Sequence, residues 1–221
     1  MIRFIILFLI TVCFDPESSS GQTEGAFQIA RLKYNGGGDW YNDPSAEVNL
    51  LNFIKSNTNI SVKTEYKFVD LSSDEIFSYP FLFMTGHGNI VFSNNEAVRL
   101  RKYLENGGFL YIDDDYGLDK AIRREMKKVF PDKELTELPY SHNIYNIFYD
   151  FSSGPPKTHK HDENPAQGFG IFIDTKLAVY YTFEANPSDG WADAEVHNDP
   201  AEKRDEALKF GANIVLYVLS N

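Results

Sequence analysis

The stretch Gly107–Gly117, reading GGFLYIDDDYG, constrains the fold more than any other part of the chain. A helix-like segment, Asn95 to Asn106, runs into a glycine pair. Four mostly apolar residues follow, Phe109, Leu110, Tyr111 and Ile112. Then come three consecutive carboxylates, Asp113, Asp114 and Asp115, and a second helical segment from Leu118. This reads as helix, Gly-Gly stop, buried strand, acidic loop, helix. In open α/β sheets ligands bind just beyond the carboxyl ends of the strands, where Asp113–Asp115 would lie. Three adjacent carboxylates repel one another, so that loop needs a cation, hydrogen bonds or free solvent.

The flanking pattern extends the same architecture. Phe27–Tyr34 alternates and reads as the first strand, followed by Gly36-Gly37-Gly38 and a helix opened by Ser45 with Leu50, Leu51 and Ile54 on its apolar face. Val62–Leu71 reads as a second strand. Phe77–Thr85 is a continuous apolar run of the kind a parallel strand shows when both its faces are covered. Asn94 or Asn95 opens the next helix, and Pro131 stops the one from Leu118 to Phe130. In the second half, Leu135–Leu138 and Ile144–Phe151 read as strands. Phe169–Asp174 and Leu177–Phe183 read as a hairpin. Ser153–Gly168 and Asn186–Pro200 read as long loops of the kind that carry function. Ala201–Leu219 reads as a final helix. The expectation is an α/β fold with a mostly parallel central sheet, helices on both faces, and a hairpin and long loops in the second half.

The first residues have the layout of a secretory signal peptide: Arg3, an apolar run from Phe4 to Val12, then Ser18-Ser19-Ser20-Gly21. The expected division is residues 1–21 as signal peptide and 22–221 as one domain, exported to the periplasm or secreted. An uncleaved anchor and a lipoprotein acylated at Cys13 are the competing readings. The apolar run is far below the ~20 residues of a spanning helix, so no membrane span is expected after cleavage. Cys13 is the only cysteine. A mature chain without it has no disulfide and no thiolate nucleophile. The net charge of −11 disfavours nucleic acid and anionic membrane surfaces as partners.

Several segments together resemble one bacterial family. They are GGGDWYNDPS at 36–45, YPFLFMTGHG at 79–88, GGFLYIDDDYG at 107–117, VFPDKEL at 129–135, PKTHKHDENP at 156–165 and EVHNDP at 195–200. The family is the domain of unknown function numbered forty-one fifty-nine, and the likeness spans roughly residues 27–219. The resemblance implies a fold similar to class I glutamine amidotransferases, a three-layer flavodoxin-like sandwich. It implies no established activity. Lys160 is a departure, because the family more often carries an acidic residue between the two histidines. In amidotransferases a cysteine occupies the strand-to-helix elbow, two residues before a glycine. Here that position is Asp115, two before Gly117, so cysteine-dependent glutamine hydrolysis is excluded for a cleaved chain. Asp115 as a carboxylate nucleophile remains an alternative.

The chemistry-bearing residues fall into three groups. His159, His161 and Asp162 form H-x-H-D, and His197 lies in the other long loop. With the aspartates they are candidate ligands for a divalent metal such as zinc. The competing reading is that they cross-link loops through hydrogen bonds. His87, between two glycines, is a candidate general base or donor, and equally a satisfied turn histidine. Gly37, Gly38, Asp39, Trp40 and Tyr41, with Asp113, Asp114, Asp115 and Trp191, are candidate contacts to a glycan or other small polar ligand. Packing of Trp40, Tyr41 and Trp191 onto the sheet is the alternative. The glycine loop lacks the spacings of a nucleotide site. Three functions follow. The first is an exported domain that binds a ligand or partner at the carboxyl edge of the sheet. The others are a metal-dependent hydrolase acting on a glycan or other envelope substrate, and a structural module that meets cell-envelope proteins. Electrostatics further predicts that the His159–His161 loop folds over the Asp113–Asp115 strand end.

Overall fold

The computed structural model describes residues 25–221. The expected signal peptide and Cys13 lie outside the described residues. Strands are β1 (Ala30–Lys33), β2 (Lys67–Asp70), β3 (Phe81–Met84), β4 (Phe109–Asp113), β5 (Thr136–Glu137), β6 (Gln167–Ile173) and β7 (Lys176–Phe183). Helices are α1 (Ala46–Asn57), α2 (Asn94–Glu105), α3 (Asp119–Val129), α4 (Pro187–Trp191), α5 (Ala194–His197) and α6 (Ala201–Ser220). Among the described residues no helix is long and apolar enough to cross a membrane.

One sheet runs in the order β2-β1-β3-β4-β7-β6-β5. The first five strands are parallel, and β6 and β5 continue the sheet antiparallel. Counted in chain order, the parallel strands read 2-1-3-4-5, the doubly wound order of flavodoxin-like folds. The order reverses between β1 and β3, so the connections that leave them cross to opposite faces of the sheet, α1 on one and α2 on the other.

Period-two alternation sorts the central strands onto two cores. Leu82, Met84, Leu110 and Ile112 pack with Leu100 and Leu104 of α2 and with Ile122 and Met126 of α3. Phe81, Phe83, Phe109 and Tyr111 pack with Leu50, Leu51 and Ile54 of α1 and with Phe210, Ile214 and Val215 of α6. β3 pairs with β4 from Phe81–Phe109 to Met84–Ile112, so the two apolar runs are adjacent and covered on both faces. The result is the three-layer sandwich that the pattern predicts.

Four local expectations are corrected. The Phe77–Thr85 run begins as a 3-10 turn at Asp74–Ser78, in which Ser73 accepts from Glu75 N, and Phe77 is 40% exposed. Val62–Leu71 forms a strand only over β2, with an isolated bridge from Val62 to Phe27. Ile144–Phe151 is not a strand. Its Tyr149 N–H donates to Asn213 Oδ1 (2.9 Å) and its Tyr149 carbonyl accepts from Asn213 Nδ2 (2.8 Å), so an amide on α6 takes the place of a neighbouring strand. Asn186–Pro200 is not a plain loop, because α4 and α5 form within it.

Candidate functional site

The site begins with a charge inside the core. Arg31 alternates onto the same face of β1 as Ile29, toward α1, and is fully buried. Its Nε and one terminal nitrogen each donate to a Glu47 oxygen at 2.5 Å. The remaining donors reach the carbonyls of Asn42 and Asp43 (the latter at 3.2 Å). A buried guanidinium survives only when paired and hydrogen-bonded, and here the second half of its donor set fixes the loop after β1.

That loop also carries the three glycines. A Cβ on Gly36 would meet Val91 N at 2.8 Å, and one on Gly38 would meet His87 O at 2.7 Å. The close partner of the glycines is therefore the 87–91 backbone, to which Gly38 N donates at Asn89 O (3.0 Å). A Cβ on Gly37 would meet nothing within 4 Å. Trp40 packs edge-on against Phe68 of β2 and against Tyr41, each at 5.3 Å, with the Lys33 ammonium 5.4 Å from its ring. Tyr41 is 62% exposed. Trp191 is a core residue rather than a ligand contact. It is buried against Phe83 and Tyr111, and its Nε1 donates to Ala207 O at 2.8 Å.

The three carboxylates at the end of β4 do not share one hollow. Asp113 is fully buried and accepts from Thr182 Oγ1 (2.6 Å), Ser188 Oγ (2.6 Å) and Ser188 N (2.8 Å). Burial nevertheless pushes its carboxyl up to about 7. Asp114 accepts from Leu118 N (2.9 Å) and Tyr181 OH (3.1 Å), closing the turn into α3. Burial also raises its carboxyl. Asp115 faces the functional groups. Its Oδ2 takes Asn42 Nδ2 at 2.5 Å and lies 3.1 Å from His87 Nδ1, while Asn186 Nδ2 donates to Oδ1 at 3.2 Å. Burial, then the nearby Asp189, Asp113 and Asp43, push its carboxyl up to about 9. His87 also lies 3.1 Å from Asp39 Oδ2, and Asp39 Oδ1 accepts the His87 N–H at 2.5 Å. The positive φ in this elbow falls on Gly117 (82°), and Asp115 has none of the strain of a nucleophile elbow.

The histidine loop does fold back over this strand end. Thr158 N donates to Ala185 O (2.7 Å), and Lys157 Nζ joins Glu184 (3.1 Å) to the Asp162 (2.9 Å) and Asn164 (2.5 Å) carbonyls. His159 Nδ1 then lies 2.6 Å from Asp189 Oδ2, and its Nε2 lies 3.1 Å from Asp199 Oδ2. His197 Nε2 lies 2.8 Å from Asp43 Oδ1 and 3.9 Å from Asp189 Oδ1. The two imidazoles are 5.0 Å apart. The hydrogen bond to Asp189 raises the His159 pKa. Burial pushes Asp189 up, but the His159 hydrogen bond and the two imidazoles outweigh it and leave that carboxyl below its ordinary value.

Of the four expected metal ligands, His159 and His197 converge. His161 and Asp162 do not join them. His161 is exposed, tilts against Tyr116 with centroids 4.7 Å apart, and lies 2.8 Å from the Asn186 amide. Burial and the neighbouring His159 lower its pKa. Asp162 is exposed and contributes its carbonyl to Lys157. The partners that the sequence did not single out as ligands of this cluster are Asp43, Asp189 and Asn186. His159, Asp189 and His197, and likewise Asp43, Asp115 and Asp189, each bring one ligand atom to within 4.8 Å of the others.

Backbone strain marks the same place. Asp43 (φ 43°), Glu184 (56°), Asn186 (51°) and Asn198 (57°) are left-handed and surround the cluster. Proline disfavours helical values in the residue before it, yet Asn186 precedes Pro187 at φ 51, ψ 44. Strain of this kind persists where surrounding contacts over-determine it, often at functional sites. The Asp-Pro and Asn-Pro pairs at 43–44 and 186–187 were the sequence signal for both positions.

Beside the cluster lies a cavity of about 450 Å³. Asp114, Asp115, Asp119, Asp162 and Glu184 line it, with Lys120, Asn186 and the rings of Tyr116, His161 and Phe183. The glycine loop, Trp40 and Tyr41 are not on its lining.

Comparison with curated proteins finds none that matches. A family model does match, over residues 28–219, and by it the chain belongs to the family described as a domain of unknown function, DUF4159.

Proposed function

We propose that the chain is an exported ligand-binding domain that holds a hydroxyl-rich ligand of the glycan class in the cavity at the carboxyl edge of its sheet. One observation carries this reading. The Tyr116 ring, 51% exposed and packed on His161, stands on the lining of a cavity otherwise rich in acceptors. A sugar has an apolar face that an aromatic ring covers and hydroxyls that carboxylates bind through charge-assisted hydrogen bonds. Even with Asp115 protonated, four carboxylates against Lys120 and His161 disfavour an anionic ligand. Export is supported by the leader-like residues that precede the domain.

The test is calorimetric or NMR titration of the mature chain with soluble cell-envelope glycan fragments, compared with Tyr116→Ala. The variant should lose most of the affinity and keep its thermal stability. Equal binding by the two proteins, or no binding of any fragment, would sink the reading.

A second reading, glycan hydrolysis, is favoured by Asp115 and Asp189. Asp115 lines the cavity and the buried Asp189 has an oxygen within 4.8 Å of it, and two carboxyls this close share a proton, as a catalytic acid–base pair does. Release of reducing ends by the native chain and not by Asp115→Asn is the measurement that separates turnover from binding.

A further inference from the structure

We propose that His159, Asp189 and His197, with Asp43 and Asp115 on the oxygen side, form a site for one divalent transition-metal ion of the zinc class. This goes beyond the ligand reading and does not depend on it.

The first argument is donor chemistry. Two imidazoles and three carboxylates form a mixed nitrogen and oxygen set that suits zinc and its neighbours better than calcium or magnesium, which favour oxygen alone. Five residues from four separate loops converge here, so local chain geometry does not explain the grouping.

The second is distance. Each of the two triads has ligand atoms within 4.8 Å of one another. Bonds of about 2.0–2.2 Å hold tetrahedral donors about 3.3–3.6 Å apart. The His159–Asp189, His197–Asp43 and His197–Asp189 contacts, at 2.6, 2.8 and 3.9 Å, lie on either side of that spacing.

The third is an orphaned atom. Asp189 is 2% exposed, and its Oδ1 has no hydrogen-bond donor. It lies 3.9 Å from His197 Nε2, inside the group. A buried carboxylate oxygen left without a donor is strongly unfavourable. Either a cation or a proton held between Asp115 and Asp189 removes that cost. A cation bound there would displace that proton.

The fourth is support around the ligands. With His159 Nδ1 toward the ion, its Nε2 lies 3.1 Å from Asp199 Oδ2, a buried oxygen without a hydrogen-bond partner that the Nε2–H would serve in a carboxylate–histidine–metal arrangement. Asn42 and Asn186 hold Asp115. The Arg31–Glu47 pair holds the backbone of Asn42 and Asp43. As they stand, His159 and His197 face carboxylates directly. Metal binding requires each to present a lone pair instead, so the imidazoles bind in their neutral form.

The experiment uses the untagged mature chain, stripped with chelator and then titrated with zinc, cobalt and calcium in the absence of any glycan. Calorimetry measures stoichiometry, and the visible spectrum of the cobalt form reports nitrogen and oxygen ligation directly. One equivalent of zinc or cobalt should bind, with calcium far weaker. Asp189→Asn and His197→Gln should each weaken binding by more than about tenfold, and Asp199→Asn by about tenfold, the range of outer-shell losses. His161→Gln and Asp162→Asn should bind as the native chain does. If Asp189→Asn fails to fold, Asp43→Asn serves, and circular dichroism identifies which variants are folded. The proposal is overturned if the folded native chain takes up no zinc at millimolar concentration, if folded Asp189→Asn or Asp43→Asn binds unchanged, or if His161→Gln abolishes binding. The first outcome would leave the proton shared by Asp115 and Asp189 as the occupant. Because no glycan is present, failure here leaves the ligand reading standing, and a metal-binding chain that ignores glycans would fail only that reading.

Discussion

Arg31 and Glu47, both fully buried, face each other through two 2.5 Å contacts, and the rest of the guanidinium grips the Asn42 and Asp43 carbonyls. The pair connects the core to the site. Burial raises the Glu47 carboxyl, and Arg31 is the charge that opposes the rise without cancelling it.

Removing one partner leaves an uncompensated buried charge. Arg31→Ala should therefore cost about 3–5 kcal/mol, the range for breaking a buried pair. Replacing both with apolar residues of similar volume, as in Arg31→Met with Glu47→Leu, should recover most of that stability but leave the Asn42–Asp43 loop unheld. Urea denaturation of the three proteins checks the first part. A single-mutant loss below about 1 kcal/mol, the range of an exposed pair, would show that the contact is not the buried one described.

The fold was legible because its signals are local. The apolar runs of β3 and β4 are short for a buried helix and are bounded by glycine, which favours strands. The errors fall where a distant residue decides. Ile144–Phe151 has the aromatic content of a strand, but Asn213 on α6 supplies its backbone partners. Trp191 carries acidic neighbours on a loop-like stretch, but its ring lies on Phe83 and Tyr111. The site was half legible. Electrostatics brought the histidine loop to the strand end, and no spacing rule could say that His159 would meet Asp189 while His161 met Asn186. The partner of Asp43 was hidden for the same reason, since His197 lies far along the chain. Ser93 was missed for a weaker reason: its Ser-x-x-Glu signature was present and unread.

Ser93 forms a full capping box on α2. Its Oγ accepts from Glu96 N at 3.3 Å, and Glu96 Oε2 accepts from Ser93 N at 2.6 Å. Ser93→Ala should cost about 1 kcal/mol, and Ser93→Gly only a few tenths. Denaturation midpoints at constant slope decide it. The reverse order would mean that the side chain caps nothing.

Trp191 and Tyr116 make opposite predictions. Trp191→Ala removes a buried indole and its bond to Ala207 O, so it should cost about 3–5 kcal/mol. Tyr116→Ala alters a half-exposed ring and should stay within about 0.5 kcal/mol of the native chain. Thermal unfolding of both variants in one buffer tests the contrast. Comparable losses would contradict the assignment of one ring to the core and the other to the cavity.

His142 gives a pH dependence with a definite sign. Its imidazole is partly buried against Phe172 (6.0 Å) and Tyr217 (5.4 Å), and its Nδ1 accepts the Ile144 N–H at 3.3 Å. Burial lowers its pKa in the folded chain. Protonation would also remove the lone pair that Ile144 uses. As pH falls, the unfolded chain takes up this proton first, so acid favours unfolding. The contribution is complete above the ordinary histidine value of about 6.5 and is lost as pH falls through the lower folded value. His142→Asn keeps an acceptor at the cap and removes the titration. Urea denaturation of both proteins from about pH 7.5 down to about pH 5 isolates the term as a difference, which cancels the carboxylates and the other histidines common to both. The native chain should lose more stability than the variant over that interval. If the two curves run parallel, the buried neutral imidazole is not what the fold relies on at this position.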